Sequence, residues 1–247
     1  MSVESASDAV PEVSVVAPVL NEEAAAPALA REIAAAFAGR DVEIIFVDDA
    51  SVDDTRQALL ALKPELPQLR VLWHGHNAGQ SRAIRTGVLA ARASIVVMLD
   101  GDGQNDPADA PALVEALRAA EPSVGLVGGE RRERRDAAAR RLASRLANAV
   151  RRRLLDDGAA DTGCGLKAFR REVFLRLPYF DHMHRYLPAL VLREGYAVAF
   201  QPVGHRPRMS GRSKYSNLGR LVAALPDLGG VLWLRARGRA TGPVGEG

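Results

Sequence analysis

The chain has 247 residues, 47% apolar and 26% charged, a balance that supports a buried core and argues against disorder. Its net charge of +3 hides an uneven distribution: all but three of the 33 basic residues are arginine, and ten of these lie between Arg131 and Arg153. A single cysteine, Cys164, excludes an internal disulfide framework, and the opening MSVESASDAVPE lacks the basic patch and apolar run of a signal peptide, so a cytosolic chain is expected.

Val13–Leu20 (VSVVAPVL) reads as a strand and Asn21–Phe37 as a helix, with Pro27 in its first turns and Gly39 past its end. Val42–Val47 (VEIIFV) is almost continuously apolar, the pattern of a strand buried on both faces, and it runs out in Asp48 and Asp49. Asp53–Leu62 reads as a helix, Leu69–Trp73 as a third strand, Ser81–Arg92 as a helix and Ser94–Leu99 as a fourth strand ending in Asp100. This alternation predicts an α/β fold on a mostly parallel central sheet with right-handed connections. A helix over Pro107–Ala119, a strand over Val124–Val127 and an arginine-rich helix over roughly Asp136–Leu155 continue it. Asp161–Lys167 (DTGCGLK) reads as a loop, Arg171–Leu177 and Leu187–Arg193 as helices, and Tyr196–Val203 as a strand.

Residues after about 156 are expected to decorate the C-terminal edge of one domain over 12–217, between a flexible start at 1–11 and an apolar and basic segment at 218–240. A flexible tail at 241–247 completes the expected organisation. Leu218–Leu234 is interrupted by Arg220, Pro226 and Asp227 and falls short of the ~20 apolar residues of a spanning helix.

Ligands of open parallel sheets sit beyond the carboxyl ends of the strands. The polar residues gather there: Asn21 and Glu22 after the first strand, Asp48 and Asp49 after the second, Asp100 and Asp102 after the fourth. The first loop has no glycine, which argues against a dinucleotide turn, and no Walker A sequence or zinc-type His/Cys spacing occurs. In DGDGQ, Asp100 and Asp102 leave an extended strand two residues apart and so project to one side. Gly101 and Gly103 would let phosphates approach the backbone, and the hard oxygens of Asp100, Asp102 and Gln104 suit Mg²⁺ or Mn²⁺ shared with a diphosphate. An Asp-Gly turn is the plainer reading of the same residues.

Four stretches in order, Pro18–Glu23 (PVLNEE), Val47–Ser51 (VDDAS) with Asp54 and Thr55, Asp100–Pro107 (DGDGQNDP) and Arg208–Lys214 (RMSGRSK), resemble family 2 glycosyltransferases. The type is that of the dolichyl- or polyprenyl-phosphate sugar transferases, and the match runs from about 13 to 215. The resemblance implies a GT-A-type nucleotide-sugar-binding fold in which Pro18, Leu20, Asn21, Glu22, Asp48, Asp49 and Asp100 hold the donor. It further implies a divalent metal, Mg or Mn, on Asp100, Asp102 and Gln104, with Asp102, Arg131, Arg208 and Lys214 as the catalytic group and Lys167, His184 and Arg185 on the acceptor side. Leu20 stands where relatives often carry an aromatic ring, which leaves the base open, and the Q-x-x-R-W sequence of processive members is missing.

An acceptor phosphate monoester has a second pKa near ~6 and is a nucleophile at neutral pH, so cations rather than a base are what the site must supply. The expected activity is that of an inverting enzyme moving a hexose, of mannose or glucose type, from a nucleotide-sugar to a polyprenyl phosphate, peripheral to the cytosolic face of the membrane. Leu225, Leu228, Val231, Leu232, Trp233 and Leu234 would form an apolar surface there, beside Arg235, Arg237 and Arg239. A separate membrane protein is a possible partner and nucleic acid is not expected. A soluble or cell-surface saccharide acceptor is the alternative within the class, and an anion- or nucleic-acid-binding module built on the arginine-rich helix the alternative outside it. His184 reads either as a phosphate ligand or as the cap of the helix beginning near Leu187, and Cys164 as a packing residue.

Overall fold

The computed structural model describes residues 10–131, 154–159, 161, 163–206 and 217–238, with the backbone alone over 217–224. Strands β1 (Val13–Val19) and β2 (Val42–Asp48) are buried at every residue, as their continuous apolar runs require, and pair in parallel from Val13 opposite Val42 to Val19 opposite Asp48. β3 (Leu69–Trp73) adds in parallel to β2, and β4 (Ile95–Met98) in parallel to β1. With β5 (Val124–Arg131), β6 (Lys167–Arg170) and β7 (Ala197–Val203) they form one seven-stranded sheet of order β3-β2-β1-β4-β6-β5-β7.

The two faces carry separate cores because strand side chains alternate. Val13, Val15, Ala17 and Val19 face one core with Leu29 and Ile33 of helix α1 (Ala26–Ala36), Leu59 of α2 (Thr55–Ala61), and Leu113 and Leu117 of α4 (Ala110–Ala119). Val16, Ile45 and Val47 face the other, with Ile84 and Val88 of α3 (Gln80–Ala90), Val173 and Phe174 of α5 (Arg171–Arg176), and Leu187, Leu190 and Val191 of α6 (Leu187–Arg193). Gly87 lets α3 lie directly on β1: a Cβ there would stand 2.4 Å from Val16 Cγ1.

Four expectations are corrected. β6 is antiparallel to both neighbours and sits inside the sheet between β4 and β5, so residues beyond 156 complete the centre of the fold as well as its edge. Its four residues, KAFR, are too few for a periodicity to show. Helix α1 starts at Ala26, five residues late, because Asn21 takes a positive φ of 56° and its side chain is tied to the next loop. The chain is no longer extended at the DGDGQ segment: β4 ends at Met98, and Gly103 at φ 73° closes a turn.

The fourth correction concerns the C-terminal helix α7 (Asn217–Arg237), in which four of the residues expected to form an apolar outer surface are turned inward. Val231 is fully buried and Leu228, Leu232 and Leu234 pack against the second core, leaving Leu225 and Trp233 exposed, each at 61%. No helix among the described residues is long and apolar enough to cross a membrane. The expected arginine-rich helix falls outside the described residues except at its end, as do Arg208, Lys214, Arg239 and the 241–247 tail.

Candidate active site

The carboxyl ends of β1, β2 and β4 lie side by side, and the loops that leave them are cross-linked by short polar side chains. Asn21 accepts the Val52 N–H on Oδ1 at 2.9 Å and donates its own backbone N–H to Ser51 Oγ at 2.9 Å. Glu22, nearly buried, donates its N–H to Thr55 Oγ1 at 2.8 Å. Asp48 accepts the Ser51 N–H at 3.0 Å and the Ser51 hydroxyl, which turns the chain away from β2. These contacts make Asn21, Glu22 and Asp48 the frame of the loops, while Pro18 is buried within β1 and Leu20 is half-buried just beyond it.

Asp49 is buried and organises the loop after β3. Its Oδ1 accepts Nδ1–H of His74 at 2.7 Å and the Ala78 N–H at 2.9 Å, and its Oδ2 accepts the Gly79 N–H at 2.8 Å. Gly79, at φ 89°, precedes α3, so Asp49 fixes where that helix begins. Gln80, the first residue of the helix, then reaches across to donate Nε2–H to Asp100 Oδ1 at 2.7 Å. Gln80 is a site residue that carries no motif in the sequence; the glycine directly before its helical run is the one local signal for it.

Asp100 and Asp102 come together through the turn rather than through a strand pleat. Asn105, buried, accepts the Asp100 N–H at 3.0 Å, and Asp102 accepts the Gln104 N–H at 3.1 Å, the geometry of an Asx turn. Gly101 serves packing: a Cβ there would stand 2.4 Å from the Pro18 carbonyl oxygen, so it brings the β4 turn against the end of β1, in place of the phosphate approach expected of it. Burial pushes the Asp100 carboxyl up, the charge of Asp102 adds to that, and Lys167 and Gln80 oppose it.

Two carboxylates crowded in a partly desolvated cleft are what a hard divalent cation relieves. Among the described residues no third carboxylate, histidine or cysteine joins them. A Mg²⁺ or Mn²⁺ on Asp100 and Asp102, with Gln104 alongside, would therefore complete its shell with diphosphate and water, the habit of these ions. The residues fit the ion.

Behind the turn lies a buried layer. Gly165 abuts Asp100, a Cβ there falling 2.2 Å from Asp100 Oδ2, and Lys167 Nζ donates to the Cys164 carbonyl. Lys167 is only 4% exposed, and its ammonium is pulled down by burial while the negative charges around it, Asp100 included, hold it up. It lies buried beside Asp100, behind the 100–104 turn. Arg131, at the end of β5, makes a two-pronged pair with Asp161, Nη2 to Oδ1 being 2.8 Å, and so pins the 161–166 segment. Cys164 is buried and its thiol is pushed up by that burial, so it packs, as expected.

His184 pairs through Nδ1 with Ser81 Oγ at 2.7 Å, and burial pushes its imidazole down to about 3. The helix-capping reading is corrected: the residue before α6 is Tyr186, and it makes no side-chain cap. Arg185 follows in the same short 3₁₀ turn, half-buried. On the other side, the Arg206 N–H donates to the Gln104 carbonyl at 2.9 Å, and its guanidinium holds Glu32 at 2.5 Å and Asp106 at 2.7 Å. Arg206 is thus anchored on the 100–106 segment.

Comparison with known proteins bears on family and fold. The family model described as Glycosyl transferase family 2 matches residues 14–177, well over half the chain. The chain is 34% identical over 222 residues to the undecaprenyl-phosphate 4-deoxy-4-formamido-L-arabinose transferase of Klebsiella pneumoniae (strain 342), covering 89% of this chain and 67% of that protein. It is 38% identical over 221 residues to the enzyme of the same name from Pseudomonas aeruginosa (strain LESB58), covering 87% and 63%. It therefore spans about two thirds of the length of these relatives. Among solved structures, glucosyl-3-phosphoglycerate synthase from Mycobacterium tuberculosis, in complex with Mn²⁺, uridine diphosphate and glucosyl-3-phosphoglycerate, superposes with a TM-score of 0.70 at 23% identity, covering 94% of this chain and 82% of that one. That likeness is one of fold.

Proposed function

The chain belongs to glycosyl transferase family 2, and from that premise we propose that it is an inverting enzyme that moves a sugar from a nucleoside-diphosphate donor to a polyprenyl phosphate. The observation that carries the reading is the crowded carboxylate pair Asp100–Asp102 at the mouth of β4, framed by the β1 and β2 loops and by Gln80. The names of the relatives support the acceptor class, and the Mn²⁺ and uridine diphosphate of the fold neighbour support the donor and metal class.

Asp100 and Asp102 would hold the cation, which when bound neutralises diphosphate charge and stabilises the leaving group. The chain itself does the rest. Gln80 and Asn105 orient Asp100, Lys167 offsets its charge from beneath, and Asn21, Asp48 and Asp49 hold the loops that would flank the nucleoside. The acceptor phosphate needs no general base, since it is already ionised near neutral pH. Arg185 and the cations beyond Arg206, Arg208 and Lys214, are the groups we assign to phosphate. Arg131 acts through Asp161, by holding the 161–166 segment against Asp100.

The donor sugar divides into two arms: the formamido-pentose in the relatives' names, and a hexose of mannose or glucose type. Thermal shift with Mn²⁺ and a panel of nucleotide-sugars, followed by transfer to undecaprenyl phosphate in mixed micelles, separates them. No metal-dependent shift with any nucleotide-sugar would reject the reading, and transfer to a soluble saccharide alone would move the acceptor.

A further inference from the structure

The segment between α5 and α6 bends sharply at His182, whose φ of 64° lies in the left-handed region that favours glycine. Carboxylates clasp this turn from both sides. Toward the start of α3, Asp181 Oδ1 accepts the His182 N–H at 2.8 Å and stands 3.2 Å from where a Cβ on Gly79 would lie, while His184 pairs with Ser81. Toward the C-terminal helix, His182 Nδ1 lies 3.0 Å from Oδ2 of Asp227, a side chain only 20% exposed. The residues at the start of α3 reach the proposed donor-site carboxylates, Gly79 on Asp49 at 2.8 Å and Gln80 on Asp100 at 2.7 Å.

We propose that His182 is a positioning residue: its bond to Asp227 seats α7 against the 181–184 turn and so holds the first turn of α3, with Gln80 on Asp100, in register with the metal motif. A side chain persists in the left-handed region where its surroundings over-determine it, and such outliers gather at switch and ligand-clamp positions. Here the surroundings are two carboxylates, one of them 45 residues away in sequence on a helix that otherwise docks through Val231 and its apolar neighbours. Those apolar contacts keep the helix on the body, while the His182 bond fixes where its middle stands relative to α3.

The inference rests on the donor-site reading above, so its test includes an arm that does not. In the full chain, His182→Gly removes the imidazole and relieves the backbone, so the gain at the left-handed position offsets the lost bond and the melting temperature should move little. Asp227→Ala removes the other partner. Each should speed hydrogen exchange at the amides of residues 79–84 and weaken binding of Mn²⁺ with uridine diphosphate about 3- to 30-fold, the span expected for coupling through packed contacts. In turnover the donor KM should rise with kcat little changed. The double variant should be no worse than either single one, and His182→Asn, which tolerates the left-handed region and keeps a donor, should restore both readouts. Unchanged exchange at 79–84 in both single variants overturns the proposal. If the wild-type chain binds no nucleoside diphosphate, the donor-site reading fails, and the exchange measurement still decides whether His182 holds α3.

Discussion

Asp102 and Asp100 do different work at one turn. Asp100 is held by Gln80 and Asn105 and abuts Gly165, whereas Asp102 closes an Asx turn onto Gln104. Asp102→Asn keeps that turn, because the amide oxygen still accepts, but removes one of the two carboxylates proposed to hold the cation. Turnover should fall by orders of magnitude with an unchanged melting temperature; near-normal rates in saturating Mn²⁺ would remove Asp102 from the metal. His184 gives a pH dependence with a definite sign. Its folded value of about 3 lies below the ~6.5 of an unfolded histidine, so between those values the unfolded chain binds more protons. Its stability contribution is complete above about pH 6.5 and is lost as the pH falls toward 3. His184→Asn, which keeps a polar atom toward Ser81, should flatten the acid slope of melting temperature; an identical slope would mean that other groups set it.

At the scale of elements, two glycines separate site geometry from packing. Gly87→Ala forces a Cβ to within 2.4 Å of Val16 where α3 crosses β1, and overpacking of this kind costs about 1–3 kcal/mol of stability. Gly165→Ala instead drives against Asp100 Oδ2 at 2.2 Å, so its larger effect should be lost affinity for Mn²⁺ with uridine diphosphate. Comparing melting curves with metal-dependent nucleotide binding for the two variants checks this, and equal losses of binding would show that any disturbance of the sheet empties the site. The Arg131–Asp161 pair belongs to the same scale. Its side chains are 14% and 8% exposed, and breaking such a pair from one side costs about 3–5 kcal/mol when it is fully buried, somewhat less here. Arg131→Ala and Asp161→Ala should therefore lower melting temperature and turnover together; loss of turnover in the arginine variant alone would give Arg131 a direct contact with phosphate.

At the scale of the whole molecule, the proposed polyprenyl phosphate acceptor would require a surface that meets a membrane. Among the described side chains of α7, Leu228, Val231, Leu232 and Leu234 pack on the second core while Leu225 and Trp233 face outward, with Arg235 and Arg237 close by. A lone tryptophan beside arginines suits the boundary between headgroups and acyl chains, though it is a weak anchor on its own. Trp233→Ala should halve or further reduce binding to anionic liposomes without moving the melting temperature, because the ring is 61% exposed. Val231→Asp, by contrast, places a charge in the core and should unseat the helix. Liposome binding that ignores both Trp233→Ala and added salt would assign the membrane contact to another surface.

The sequence alone determined the parallel half of the sheet, the alternation that places its loops at one edge, and the family. Continuous runs such as VEIIFV have only one way to be buried, and DGDGQNDP after the fourth strand carries the hard oxygen donors that suit a divalent cation. Tertiary structure decided what each polar residue does. Lys167, read as an acceptor contact, lies under Asp100 because β6 inserts antiparallel into the middle of the sheet, a pairing that four residues cannot announce. Gln80 and His182 acquire their roles only through partners 20 and 45 residues distant, and Leu228 and Val231 turn inward because a core stands beside them. Local pattern encodes periodicity and chemistry; which partner a side chain meets depends on strand order and helix seating, and these are set by packing across the whole chain.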